Sequence, residues 1–171
     1  MLSAAAYLLA FLGHLTPAMF TSFLRYDPKD IIIVIAGFIF GPLAAIVVSV
    51  VVSFFEMITF STTGGWGLLM NVLSSCSFAC TACIIYRRKR TIRFALISLA
   101  CGVIAMAAAM LMWNYFITPI YMGYPREAVA SMLLPAFLPF NLIKGSINAV
   151  ITFILYKPLK KALKAAKLID M

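Results

Sequence analysis

Hydrophobic residues along this chain form six long stretches, separated by short segments that contain Gly, Pro or charged residues. A strand of a transmembrane barrel would alternate apolar and polar positions over about 10 residues. These stretches do not alternate, because residues 46–52, for example, are apolar apart from Ser49. The pattern therefore predicts helices, which we place at residues 2–13, 31–40, 43–60, 66–86, 92–121 and 140–156.

Composition assigns these helices to a membrane. Of the 171 residues, 64% are hydrophobic and 11% are charged, and the mean hydropathy is +1.06. In a soluble domain about a quarter of the residues are charged. A helix that crosses a bilayer needs roughly 20 apolar residues. We expect an all-α integral membrane protein, with residues 1–171 forming one domain and six transmembrane helices packed in one compact bundle.

The predicted helix at residues 31–40 is too short to cross a bilayer. At about 1.5 Å per residue it spans about 15 Å, half of the hydrocarbon thickness. We expect Asp30 to cap its N-terminus and Gly41-Pro42 to end it. Short segments of this kind are tolerated in membrane proteins where they line a ligand cavity.

The net charge of +9 is concentrated in two clusters, and both follow hydrophobic stretches. Positive charge of this kind marks the cytoplasmic side, where anionic lipid is its ordinary partner, and it does not indicate nucleic acid. We therefore predict that both termini are cytoplasmic, that residues 14–30, 61–65 and 122–139 are outer loops, and that residues 157–171 form an amphipathic surface tail. The clusters are Arg87, Arg88, Lys89, Arg90 and Arg93, and Lys157, Lys160, Lys161, Lys164 and Lys167.

Polar residues are costly inside a membrane, so their positions indicate where function lies. In this topology the strongly polar residues of the helices all fall in the outer half of the bundle, which predicts a pocket that opens outward. Hydrogen bonding between helices is the alternative explanation. The residues are Glu56, Asn71, Asn114, Asn141, Lys144 and Asn148.

Aromatic residues cluster at the same depth, and they fit either an interfacial belt or a pocket for a planar heteroaromatic ligand. These residues are Tyr26, Trp113, Tyr115, Phe116, Tyr121, Tyr124, Phe137 and Phe140.

The sequence gives no support for enzymatic chemistry. Cys76, Cys80, Cys83 and Cys101 have no His or carboxylate nearby, so we interpret them as small, reduced residues that pack helices, and we expect no metal site. In the sequence, no cysteine, aspartate or glutamate lies at metal-ligand spacing from the single His14. The glycine-rich segment at 64–67 lacks the Lys-Ser/Thr of a phosphate-binding loop, so if the chain moves a solute uphill, the energy must come from a partner.

Three stretches resemble the riboflavin-specific substrate-binding (S) components of energy-coupling-factor (ECF) vitamin transporters. They are Leu-Arg-Tyr-Asp-Pro-Lys-Asp-Ile at 24–31, Gly-Leu-Leu-Met-Asn at 67–71 and Pro-Phe-Asn-Leu-Ile-Lys-Gly at 139–145. The resemblance implies a subunit of the bacterial plasma membrane that captures riboflavin from outside. It implies no cofactor, and as partners a transmembrane coupling subunit and two cytoplasmic ATPases.

The resemblance also implies site residues. Asn141 and Lys144 would hold the flavin ring, because Asn offers a donor and an acceptor and Lys offers donors to the edge of the ring. Asp27 or Glu127 would accept hydrogen bonds from the ribityl hydroxyls. Asn114, Tyr26 and Asn71 complete the expected binding set.

The resemblance further implies that docking on the coupling subunit uses small residues spaced Ala-x-x-x-Ala on the first helix. The partner of Ala4 at this spacing falls before Met1, whereas Ala6 and Ala10 have the spacing in a shifted register. We therefore expect either a start upstream of Met1 or a shifted docking face. Two alternatives to the riboflavin interpretation remain open: an S component for FMN or another vitamin, and a membrane assembly protein whose polar residues only join helices.

Overall fold

The computed structural model describes residues 1–15, 26–59, 61 and 63–165. Within these residues the chain is helical and contains no strand. The helices are α1 (Leu2–His14), α2 (Lys29–Phe40), α3 (Pro42–Thr59), α4 (Gly64–Arg88), α5 (Ile92–Met122), α6 (Arg126–Met132) and α7 (Leu138–Ala165), with a π-helical segment (Leu133–Phe137) between the last two.

The first five predicted helices are confirmed to within a few residues. Gly41 ends α2 with a φ of 106°, a conformation that suits glycine, and Pro42 begins α3. The glycine-rich segment at 64–67 is the first turn of α4. The prediction that Asp30 caps α2 is wrong, since the N-cap is Pro28 and Asp30 lies in the first turn.

The prediction of an outer loop at residues 122–139 is also wrong for most of its length. The chain is helical from Arg126 onward and runs through the π-helical segment into α7 without a break. Pro135 and Pro139 suggested a loop because proline cannot donate a backbone hydrogen bond. The wider π turn accommodates this loss. At the other end, α7 continues through Pro158 to Ala165, and residues 166–171 of the predicted tail lie outside the described part.

Four helical stretches of the described chain are long and apolar enough to cross a membrane: 42–59, 64–88, 92–120 and 126–158. The helix α1 is apolar but shorter. The exposed apolar side chains of α3 include Leu43, Val47, Val50, Phe54 and Ile58, which lie three or four residues apart on one face. The number of crossings and the side on which each terminus lies stay predictions.

The short helix α2 lies at the centre of the bundle and packs against α1, α3, α4 and α7. Its residues 29–31 and 33–39 are all buried, so its first turn carries Lys29 and Asp30 into the interior. Small residues allow this close packing, because Gly37 lies directly against the Cys83 thiol. All four cysteines are free thiols, and Cys83 is buried.

Candidate functional site

The start of α2 brings a buried lysine between two carboxylates. Lys29 is fully buried, and its Nζ donates to Glu56 Oε1 at 2.9 Å and Oε2 at 2.7 Å. The same ammonium group pairs with Asp27. Asn71 Nδ2 donates to Glu56 Oε2 at 3.0 Å, so α4 joins the group. Because buried charges must be paired, Lys29 is the residue that allows both carboxylates to lie here.

Asp30 is the centre of a second buried group. Ser75 Oγ on α4 donates to Asp30 Oδ1. From α7, Asn148 Nδ2 lies 3.4 Å and Lys144 Nζ 3.5 Å from Asp30 Oδ2. Asp30 therefore links three helices, a role that the sequence did not indicate.

Tyr26 and Asn148 hold the segment before α2 against α7. The Tyr26 hydroxyl donates to Asn148 Oδ1 at 2.7 Å, and Asn148 Nδ2 donates to the carbonyl of Asp27 at 3.1 Å. Burial, followed by the carboxylates of Asp30 and Asp27, raises the pKa of Tyr26 to about 12, so its hydroxyl stays a donor at neutral pH. We call the two groups together the ionic cluster: Tyr26, Asp27, Lys29, Asp30, Glu56, Asn71, Ser75, Lys144 and Asn148.

The structure thus brings Glu56, Asn71, Lys144 and Asn148 together in one cluster, and the outward-opening pocket stays a prediction. The sequence missed Lys29 and Asp30, which it assigned to an outer loop and a helix cap. The sequence offered only a weak signal, since Lys29 and Asp30 lie directly before a fully apolar stretch, where charged residues are ordinary.

Asn114 and Asn141 are also buried, at 2% exposure each, but they bond within their own helices. Asn114 Nδ2 donates to the Met110 carbonyl at 2.7 Å, and Thr118 Oγ1 donates to Asn114 Oδ1 at 2.9 Å. Asn141 Nδ2 donates to the Phe137 carbonyl at 2.7 Å, at the end of the π-helical segment. These two residues therefore do not join the ionic cluster, and their role toward a ligand stays a prediction.

Glu127 lies in the first turn of α6, where its side chain is exposed. A carboxylate at this position is favourable next to the positive end of a helix dipole. Within the described residues, no contact joins Glu127 to the ionic cluster.

The aromatic set divides into two groups. Phe137 and Phe140 are buried, whereas Tyr115, Phe116 and Tyr124 are exposed, as an interfacial belt requires. The side chain of Tyr121 lies outside the described residues.

Trp113, one residue before Asn114, is distinctive within the aromatic set. Its Nε1 is buried and has no hydrogen-bond partner within the described residues. An indole N–H without a partner is costly in a dry interior, so this donor is available to a ligand acceptor.

The residues expected for docking divide as well. Ala6 and Ala10 are buried inside the chain, so in this fold they are not available to a partner, and the shifted register is wrong for these two residues. The reason is that α1 packs this face against α2 and α3. Ala4 is exposed, and with Leu8, Phe11 and Leu12 it forms the outward face of α1.

Known proteins are similar to this chain over nearly its whole length. The family described as "ECF transporter, substrate-specific component" matches residues 1–156. The chain is similar to riboflavin transporter RibU of Staphylococcus aureus (strain TCH60), at 32% identity over 170 residues, 96% of this chain and 89% of the relative. It is also similar to riboflavin transporter FmnP of Bacillus subtilis (strain 168), at 27% identity over 169 residues, 94% of this chain and 88% of the relative.

A solved structure shares the fold. It is described as "Structure and mechanism of the S component of a bacterial ECF transporter", and it superposes with a TM-score of 0.81 at 32% identity, covering 96% of this chain and 94% of the other. The fold and the matches define a multi-pass membrane protein of a transport system, not an enzyme. The chain belongs to the family of substrate-specific (S) components of ECF transporters.

Proposed function

We propose that this chain binds riboflavin as the S component of an ATP-driven ECF vitamin importer. The observation that carries the proposal is the similarity over nearly the whole chain to two proteins named riboflavin transporters. No cofactor is needed, because riboflavin is the transported ligand.

The chemistry of α7 supports a flavin site. The pyrimidine edge of the flavin ring presents carbonyl acceptor, N–H donor and carbonyl acceptor in turn. Asn141 offers a donor and an acceptor, and Lys144, one helical turn away, offers three donors of which Asp30 engages one. Asn114 and the unpartnered N–H of Trp113 add polar groups from α5. Tyr26, Asp27, Asn71 and Glu127 complete the proposed binding set.

The balance of charge favours riboflavin over FMN. The ionic cluster contains the three carboxylates of Asp27, Asp30 and Glu56 and the two ammonium groups of Lys29 and Lys144. A phosphate group at this end of the bundle would meet an excess of carboxylate, and like charges in a poorly solvated site repel strongly.

We further propose that six crossings place both termini in the cytoplasm and the ionic cluster near the outer face of the bacterial plasma membrane. The outward face of α1 would then dock on a transmembrane coupling subunit, which two cytoplasmic ATPases drive. A reporter fused after Met171 is expected to be cytoplasmic, and a tag at residues 61–65 is expected to be accessible from outside. The reverse pattern would contradict this topology.

Riboflavin fluorescence tests the binding proposal directly. Detergent-purified protein is expected to quench riboflavin with one-to-one stoichiometry, and thiamine is expected to leave this titration unchanged. In liposomes the chain alone is expected to bind riboflavin without accumulating it, and addition of the coupling subunit, ATPases and ATP is expected to give uptake. If the wild-type protein does not quench riboflavin, the proposed function is wrong.

A further inference from the structure

We call one end of the bundle the basic end; it consists of the α4–α5 loop and the last turns of the membrane-spanning part of α7. A cavity lies at this end. Its volume is about 190 Å³. A water molecule takes ~30 Å³ of liquid volume, so the cavity has room for a group of several heavy atoms. It lies about two helical turns along α7 from Asn148, on the side away from Asn141, and none of its lining residues belongs to the ionic cluster.

Two exposed cations, Arg90 in the loop and Lys157 on α7, line this cavity. Tyr86 and Tyr156 form its buried wall, where their hydroxyls are joined by a hydrogen bond of 2.8 Å. None of the described side chains that line the cavity is acidic. The lining therefore selects for an anion by charge.

The backbone favours an anion at the same place. The helix α5 begins here at Ile92, has no acidic residue in its first turn, and uses the Thr91 side chain to accept from the Phe94 N–H at 3.4 Å. The remaining N–H groups of the first turn and the positive end of the helix dipole point toward the loop. Backbone and side chains thus contribute positive potential to one cavity.

Apolar side chains border the same cavity. Ile92 and Phe153 line it, and Ile92 is half exposed, as is Leu96 one turn along α5. The membrane-spanning stretch of α4 ends at Arg88, and that of α5 begins at Ile92. The cavity therefore lies at the depth of the lipid headgroups. A ligand that fits this site has a phosphate group that contacts the cations and a hydrocarbon part that contacts the adjacent apolar surface.

We propose that this cavity binds the headgroup phosphate of an anionic phospholipid. The phosphate lies between Arg90 and Lys157 near the start of α5, and the acyl chains follow the apolar surface of Ile92 and Leu96. Bound there, one lipid connects the α4–α5 loop to the end of α7. Basic pockets between membrane helices recognise anionic headgroups through the same chemistry. The proposal does not depend on riboflavin binding.

The test uses the full chain in detergent, titrated with dioctanoyl phosphatidylglycerol and followed by native mass spectrometry. One bound lipid is expected, whereas dioctanoyl phosphatidylcholine and inorganic phosphate are expected not to bind at the same concentrations. The double variant Arg90→Gln, Lys157→Gln is expected to bind phosphatidylglycerol about thirtyfold more weakly. The matched control, Arg88→Gln with Arg93→Gln, removes the same charge from exposed positions outside the cavity and is expected to retain the bound lipid.

A second variant, Ala95→Leu, fills the buried wall of the cavity without changing charge and is expected to weaken lipid binding as well. Circular dichroism melting reports whether each variant is folded. Equal binding of phosphatidylglycerol and phosphatidylcholine would overturn the proposal. An equal loss in the control double variant, or binding of inorganic phosphate without the lipid, would also overturn it.

Discussion

Lys144 Nζ on α7 lies 3.5 Å from Asp30 Oδ2 in the first turn of α2, and both side chains are buried. This ion pair connects the central short helix to the helix that carries the proposed flavin donors. Asp30 also accepts from Ser75 and lies within reach of Asn148, so it fixes where Lys144 presents its remaining N–H groups. The position of Lys144 therefore depends on a residue at the other end of the sequence.

Asp30→Asn is expected to destabilise the protein, because it leaves the buried Lys144 ammonium without its ion-pair partner. Breaking a buried pair by removal of one partner costs ~3 to 5 kcal/mol. The double variant Asp30→Asn, Lys144→Met removes both charges and is expected to recover part of that stability, while riboflavin binding stays weak. Thermal unfolding in detergent checks stability, and fluorescence quenching checks affinity. If the double variant is less stable than Asp30→Asn, the ion pair does not have this role.

The pair between Lys29 and Glu56 gives a second prediction about stability. Lys29→Met leaves the buried carboxylate of Glu56 and the partly buried carboxylate of Asp27 without their ammonium partner, and is expected to cost ~3 to 5 kcal/mol. Glu56→Gln keeps an acceptor for Lys29 and Asn71 and is expected to cost less. A double-mutant cycle that combines the two changes measures their coupling by thermal unfolding. Additive effects would show that the pair is not coupled.

Truncation of Asn141 or Lys144 tests the flavin site itself. Each of Asn141→Ala and Lys144→Ala is expected to lower riboflavin affinity five- to hundredfold, because an unmet buried polar group costs ~1 to 3 kcal/mol. Leu142→Ala is the matched control, since Leu142 lies on the same helix with an exposed side chain. Quenching titrations give the affinities. Wild-type affinity in both Asn141→Ala and Lys144→Ala would exclude this assignment.

Much of the fold was predictable from the sequence because membrane helices are marked by apolar stretches and by strong interruptions such as Gly41-Pro42. The continuity of the last helix with the helical chain before it was not predictable, because Pro135 and Pro139 look like interruptions but lie within or next to a π-helical turn that accommodates them. Sequence pattern reports where a backbone donor is missing. It does not report whether a wider turn compensates for that loss.

The candidate site was predictable in part for a related reason. Lone polar residues inside apolar helices, such as Glu56 and Lys144, are conspicuous because each must find a partner. Lys29 and Asp30 were not conspicuous, since they lie at the edge of an apolar stretch, where charged residues are ordinary. Only the packing of α2 on four neighbouring helices shows that its first turn is interior.

Selectivity between flavins is expected to follow the charge of the ionic cluster. The affinity for FMN, measured by competition with bound riboflavin, is expected to be at least about tenfold lower than the affinity for riboflavin, because the FMN phosphate meets an excess of carboxylate. Competition measured by recovery of riboflavin fluorescence checks this. The variant Glu56→Gln removes one carboxylate and is expected to reduce the difference in affinity between riboflavin and FMN. Equal affinity for both flavins in the wild-type protein would mean that the phosphate lies away from the cluster.

Trp113 gives a prediction that separates ligand binding from packing. Its Nε1–H is buried without a hydrogen-bond partner in the described part of the chain, so Trp113→Phe removes an unmet donor and keeps an aromatic ring. Stability is expected to stay the same or to rise slightly, while riboflavin affinity falls about five- to tenfold, because the ligand loses one hydrogen bond. Trp66→Phe is the control, since Trp66 is 41% exposed in the first turn of α4. Thermal unfolding and quenching titrations are compared for both variants. Lower stability of Trp113→Phe with unchanged affinity would show that the indole serves packing and does not contact the flavin.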